Sequence, residues 1–242
     1  MRTAHTTIVI ALLCVLCASS PSLGESLNDR LEEADRAYRS GDHERAIDIL
    51  ENEILPLDIE LDLKIRVRAL ELLGVAKDSI DDYAGAADAW ELRWLSLVSN
   101  LGSDHITTVN QVPTIAYAMN RAGRYRKTRY YWTLYLDTGR RSEYGDSDLI
   151  NEVDAMFGIA RSYAGESRPE SWKKADEWYR KALEHDDMSL RMRAVMMLER
   201  ADVKEKLREI AEAQEIRAEA NRILDEDKRL RAVDPSSVPW SK

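Results

Sequence analysis

Few side chains in this sequence have the type and spacing that chemistry requires. Cysteine occurs only at Cys14 and Cys17, inside an apolar N-terminal run. Beyond that run there are three histidines, far apart in the chain. His43 holds a turn position that is Tyr83 and Tyr125 in two later segments, which reads as packing. His105 stands before a helix start and, with Asp104, reads as a cap. His185 adjoins Asp186 and Asp187, a run that could take a divalent cation, but no second cluster at ligand spacing accompanies it. Gly102-Ser103-Asp104 follows no strand, so it is a turn and not a nucleophile elbow. The scattered glycines build no phosphate cradle. With no nucleophile, tuned base, metal cluster or phosphate loop assembled, the expectation is a protein that is not an enzyme and carries no cofactor and no metal.

The richest stretch runs from Arg121 to Arg141. Arg121, Arg124, Arg126, Lys127, Arg129, Arg140 and Arg141 are interleaved there with Tyr125, Tyr130, Tyr131, Trp132 and Tyr135. Arginine forks match carboxylates, and aromatic rings stack on flat or cationic groups. One reading is a patch for an acidic peptide, polymer or glycan. In the other reading Trp132 and Tyr135 are core and the arginines pair with carboxylates on neighbouring helices. The partner-binding candidates are Tyr117, Asn120, Arg121, Arg124 and Arg129.

The elements that position these residues begin after an export signal. Met1-Arg2 precedes an uncharged apolar run, Ile8 to Ala18, and Ser22-Leu23-Gly24 places small residues where a signal peptidase reads them. Residues 1–24 are therefore read as a signal peptide, with a retained anchor as the alternative, although the run is shorter than the roughly 20 residues a spanning helix needs. Cleavage removes both cysteines, which leaves the exported chain to be stabilised by packing alone. A periplasmic or secreted location follows, with a bacterial origin favoured and no stable membrane insertion. The composition is acidic, 44 Asp plus Glu against 35 Lys plus Arg for a net charge of -9. That balance disfavours nucleic acid and anionic lipid as partners.

A repeated grammar organises residues 25–187. Four segments carry a turn, a small residue and a bulky residue four places on: Ala46 with Leu50, Ala86 with Trp90, Thr128 with Trp132, and Ala175 with Tyr179. Residues i and i+4 share a helix face, so each pair is a notch and a knob on one stripe. The small residues lie 40, 42 and 47 positions apart. Upstream, Ala34, Gly74, Ala116 and Gly158 supply a second small residue on the partner helix. It lies 12 positions earlier in three segments and 17 in the fourth, whose turn (Ala164 to Ser171, with Pro169) is correspondingly longer. The repeat-packing residues are thus Ala46, Leu50, Gly74, Ala86, Trp90, Ala116, Trp132, Gly158, Ala175 and Tyr179.

These segments resemble tetratricopeptide repeats. Leu101-Gly-Ser-Asp-His-Ile-Thr-Thr108, followed by Ala116 and Gly123-Arg-Tyr125, is similar to the longer repeats of kinesin light chain, with Ile106 where that pattern has proline. Ala175-Asp-Glu-Trp-Tyr-Arg-Lys-Ala182 looks like a Sel1-type unit. The resemblance implies an all-α, right-handed superhelical solenoid of antiparallel helix pairs, in which each pair buries its stripe only by stacking on its neighbours. It also implies a concave groove lined by first helices, through which a protein or peptide partner is held. A carboxylate clamp of the kind some such domains use is not assembled. The inward positions are Leu31 and Asp35, Glu71 and Val75, then Pro113 and Tyr117, to which Asn120 and Arg121 add little.

Residues 188–233 carry one helical stripe of Leu190, Ala194, Met197, Leu198 and Ala201. A looser stripe follows through Leu207, Ile210, Ile216, Ala220, Ile223 and Leu224. They read as one or two closing helices with a polar outer face; a coiled-coil dimerisation helix is the alternative. Residues 234–242 read as a disordered tail. The functional expectation is an exported interaction scaffold, with a cell-envelope assembly subunit docking through its C-terminal helices as the alternative.

Overall fold

The computed structural model describes residues 23–57, 62–141, 152–186 and 188–233. The signal segment up to Ser22, the tail 234–242 and Asp187 lie outside the described residues. Among the described residues every regular element is helical, and no helix is long and apolar enough to cross a membrane. The chain divides into two compact units, Met1–Ser96 and Leu97–Lys242.

The first unit holds α1 (Leu23–Arg39), α2 (His43–Ile49), α3 (Leu63–Ser79) and most of α4 (Tyr83–Leu101). Asp42 caps α2 by accepting the Arg45 N–H, and Asp62 caps α3 by accepting the Lys64 N–H. Past Ile49 the helix loosens into a π turn, Leu50–Ile54, and a short 3-10 turn, Leu55–Leu57, where Pro56 removes a donor. Leu31, Ala34, Ile49, Leu50, Leu72 and Leu73 share one buried cluster, which joins α1, α2 and α3.

In the second unit His105 caps the one-turn α5 (Ile106–Val109), its Nδ1 accepting the Thr107 N–H at 3.2 Å. The unit continues with α6 (Val112–Arg121), α7 (Tyr125–Arg141), α8 (Glu152–Ala164), α9 (Pro169–Leu183), α10 (Leu190–Lys206) and α11 (Ile210–Val233). Pro113 and Pro169 sit in first turns, where their missing donor costs nothing.

One turn recurs at each short helix–helix junction. Gly41, Asp81, Gly123 and Arg208 have φ of 85, 61, 70 and 65°. The residue after each donates back across the helix end, Asp42 to Ala37, Asp82 to Lys77, Arg124 to Met119 and Glu209 to Lys204, at 2.8–2.9 Å. Its own carbonyl then accepts the first bond of the next helix, from Ala46, Ala86, Thr128 and Ala213. This is the Schellman closure, with a single residue ending one helix and starting the next. The turn explains the 12-residue spacing between small residues, since seven positions precede the left-handed residue and five follow it.

The same register places Ala201 and Ala213 as the small pair of a fifth unit, both fully buried. The helices read from sequence as closing elements are therefore a further repeat of the same build. α11 packs against α10 within the chain, with Ala213, Ile216 and Ala220 turned inward. Those three residues are covered there, while Ile210 at the start of the helix is 49 % exposed. What closes the array is the knob position. Trp132 reaches the following helix α8, and Tyr179 donates to Glu199 on α10. In the last unit that position is Arg217, which turns back to Asp202 and Glu205 of its own first helix. A charged knob offers a further helix pair no apolar seat.

Two glycines set how closely helices approach. A Cβ on Gly74 would lie 2.7 Å from the Trp90 ring, and one on Gly158 would lie 2.0 Å from Trp132 Nε1. Trp132 is only 1 % exposed and has no room to move aside. Gly158→Ala should therefore destabilise the chain by about 2 kcal/mol in urea unfolding. An open helical site would show the opposite sign, a gain of about 1 kcal/mol from better helix propensity.

Candidate functional site

The basic and aromatic stretch singled out in the sequence is divided by the fold. Trp132 and Tyr135 are buried, as is Tyr131, while Tyr130 is exposed. Arg129 is engaged with neighbouring elements. Its guanidinium donates to Glu166 at 2.7 Å, approaches Ser162 Oγ at 3.4 Å and lies 4.2 Å over the Tyr163 ring. A fork held on three sides locks α7 to α8 and to the turn after it, so Arg129 leaves the candidate set. The side chains of Arg140 and Arg141 lie outside the described residues.

Glu166, in the enlarged turn between α8 and α9, is the hub of that lock. Burial alone would raise its carboxyl. Hydrogen bonds from Ser171, Arg129 and Arg168 outweigh burial and bring it from 4.5 down to about 2. The sequence flagged the turn as longer but carried no sign of its pairing with Arg129, which another helix pair contributes from 37 positions away.

Tyr117 and Asn120 share one face of α6, three positions apart. Tyr117 is 38 % exposed and stands edge-on to Trp132, with ring centroids 5.1 Å apart. Burial of its phenol and the nearby Asp154 carboxylate keep it protonated above its usual range. Asp154 is itself raised by burial. The Asn120 Oδ1 is buried without a hydrogen-bond partner. On the following first helix Arg161 grips Glu199 through two donors, Nε at 2.9 Å among them, and lies 4.1 Å over Phe157. Tyr179 donates to the same carboxylate at 2.9 Å, and burial, with Glu199 beside it, pushes the pKa of its phenol well above the usual range. Tyr117, Asp154, Arg161 and Glu199 form a polar, aromatic band along the first helices α6, α8 and α10. Sequence reasoning found only Tyr117 and Asn120 in this band. Arg161 and Glu199 are 38 positions apart and pair only once the units stack.

Arg121 is exposed at the C-terminal end of α6, where a cation suits the helix dipole. Arg124 is half-buried in the α6–α7 turn and lines a separate cleft at that edge of the unit. The histidines converge on nothing. The His43 ring packs 5.2 Å from Tyr38, and in the link after α9 the His185 carbonyl accepts from Arg193 at 2.8 Å. Among the described residues no group of three or more His, Cys, Asp or Glu could hold a metal ion. The arrangement offers stacking, hydrogen bonding and paired charge along helix faces, which suits recognition.

No family model matches the sequence, and no curated protein does. Solved structures do resemble the fold. A Podosopora anserina protein described as a kinesin light chain with nearly identical TPR-like repeats aligns at TM-score 0.61 and 16 % identity, over 86 % of this chain and 100 % of that one. A single-residue variant of it aligns at TM-score 0.62 and 16 % identity, over 87 % and 100 %. BtubC (BKLC) from P. vanneervenii aligns at TM-score 0.58 and 17 % identity, over 86 % and 93 %. At such identities the likeness concerns fold, and the fold is the all-α, TPR-like helical-repeat solenoid.

The Glu166 lock has a defined pH signature. A carboxyl lowered in the folded state contributes stability above its unfolded value and loses it as pH falls toward the folded value. Glu166→Gln should cost about 2 kcal/mol above pH 5. That gap to wild type should narrow as pH falls through 4.5 toward about 2. Urea titrations of both proteins across this range measure the gap; one that stayed constant would show that the carboxylate is not what locks the turn.

Proposed function

We propose that this protein is an exported, non-enzymatic scaffold that holds a segment of another protein along the first-helix face of its repeats. The observation that carries the reading is Tyr117, a large aromatic left 38 % exposed on a first helix, with the unpartnered Asn120 acceptor beside it. An amphipathic ring with few rotamers makes a good interface anchor. An open helical face gives length rather than enclosure, which suits an extended polypeptide more than a small molecule. The alternative, assembly through the C-terminal helices, would draw on what remains of their stripe, because Ala213, Ile216 and Ala220 pack inside the fifth unit while Ile210 stays 49 % exposed.

Export is part of the proposal and rests on the N-terminal residues alone. Mass spectrometry of the native protein should find Glu25 as its first residue in the extracytoplasmic fraction; an intact Met1 or Arg2 N-terminus there would overturn cleavage. Partner binding is tested by capture from native extract on residues 25–242. A second bait carries Tyr117→Ala and Arg121→Glu, with its fold checked by circular dichroism. A protein retained by the wild-type bait should fall at least about tenfold on the variant, a loss of about 1.4 kcal/mol. Equal recovery on both baits would remove this face from the binding surface.

A further inference from the structure

We infer that the cleft between α1 and α3, within the first unit, receives one side-chain carboxylate of the bound segment against Arg68, with an aliphatic neighbour of that residue seated beside it. The inference rests on the scaffold reading and adds to it the chemistry of the partner. The cleft has a volume of about 480 Å³. Asp35, Tyr38 and Arg39 line it from α1, and Arg68, Glu71, Leu72 and Val75 line it from α3.

Each carboxylate of this cleft has an arginine of its own. Asp35 pairs with Arg39 at 2.8 Å, one turn further along α1. Glu71 accepts from Arg93 at 3.0 Å, and the buried Arg93 guanidinium also donates from Nε to the Val67 carbonyl at 3.3 Å. Arg68 is exposed, and its side chain makes no hydrogen bond, ion pair or ring contact among the described residues. Counting each charge once therefore leaves one guanidinium at the cleft without a counter-charge.

The repeat itself does not call for that cation. Six positions before the small first-helix residue stand Asn28, Arg68, Asn110, Glu152 and Val195 in the successive units, so the second unit alone carries a positive charge there. Nor does Arg68 join two helices, as Arg93 joins α4 to α3. What lies beside it is firmly placed. Leu72 belongs to the buried cluster of the unit, with Tyr38 and Val75 packed against that cluster. The Tyr38 ring is also held 5.2 Å from the His43 ring, centroid to centroid. The cleft thus sets a fixed apolar wall next to an unpaired charged fork.

A single arginine fork matches a single carboxylate, through two parallel N–H···O bonds. Nucleic acid or a phosphate chain calls for several unpaired cations, and it would have to approach a chain whose net charge is -9. The apolar wall rewards a ligand that buries carbon next to its charge, and a polypeptide supplies both on neighbouring residues. The occupant these features favour is an internal Glu or Asp flanked by an aliphatic residue.

The test is fluorescence anisotropy on residues 25–242 with the amidated peptide Gly-Ser-Leu-Glu-Leu-Ser-Gly. Its amino end is blocked by an uncharged dye, so that Glu carries its one charge. The peptide should bind with a dissociation constant on the order of 100 µM. Replacing its Glu by Gln, or making Arg68→Glu in the protein, should each weaken binding at least about tenfold. Arg68→Glu should in turn bind the Leu-Lys-Leu form of the peptide more tightly than the wild type does. Arg222→Glu, which reverses an exposed charge on α11, should change Glu-peptide binding less than about twofold. Circular dichroism confirms that each variant is folded. Absence of Glu-peptide binding at about 1 mM, equal binding of the Glu and Gln peptides, or indifference to Arg68→Glu would each overturn the inference. The native partner separates this failure from that of the scaffold reading. A partner lost with the Tyr117 variant but fully retained by Arg68→Glu removes the acidic residue and leaves the scaffold standing. Glu-peptide binding that depends on Arg68, with no partner recovered on any bait, does the opposite.

Discussion

Close approach of helices at small residues is the constraint on which the rest of this structure depends. Ala34, Ala46, Ala116, Ala175, Ala201 and Ala213 are fully buried, and Gly74 and Gly158 lie under tryptophan rings. A larger residue at any of these positions would separate helices that bury their apolar stripes only against one another. The repeated turn makes the constraint reproducible. It fixes seven residues before the left-handed position and five after it, so the small residues of paired helices meet in register each time. Where the left-handed residue is Asp81 or Arg208 in place of glycine, the backbone accepts some strain to keep that register.

Charge is organised around the same frame. Several cations in the second unit are brackets. Arg129 ties α7 to Glu166, Arg161 ties α8 to Glu199, and Arg200 and Lys204 share Asp176 and Glu212 across three helices. Burial works against the Lys204 ammonium, yet hydrogen bonds to Glu209, Asp176 and Glu212 prevail and raise its pKa above the usual lysine range. With these cations committed to structure, what distinguishes the remaining surface of the second unit is the exposed Tyr117 ring on α6.

Much of this was legible in the letters. The 12-residue spacing of small residues and the notch-and-knob pairs indicated helix pairs, and the structure has them at those positions. Gly41 and Gly123 announced their turns. The fifth unit was hidden because, although Ala201 and Ala213 keep the 12-residue spacing, Arg208 replaces the turn glycine and Arg217 the bulky apolar knob. Arg129 was misplaced for a different reason. Its partners, Ser162 and Glu166, are 33 and 37 positions away, and only tertiary packing brings them together. Periodicity reports which face of a helix is buried. It does not report which charge on that face finds a partner.

The central claim is that the Gly158–Trp132 contact sets how closely successive helix pairs stack. A double-mutant cycle between these two positions tests it most directly. Gly158→Ala would be measured by urea unfolding in the wild-type background and again with Trp132→Leu, whose shorter side chain leaves room for a Cβ. The account predicts that the substitution is harmful in the first background and neutral or favourable in the second, with a coupling of about 1 kcal/mol or more. The same effect in both backgrounds would contradict it, since the two residues would then act independently and some other contact would govern the stacking.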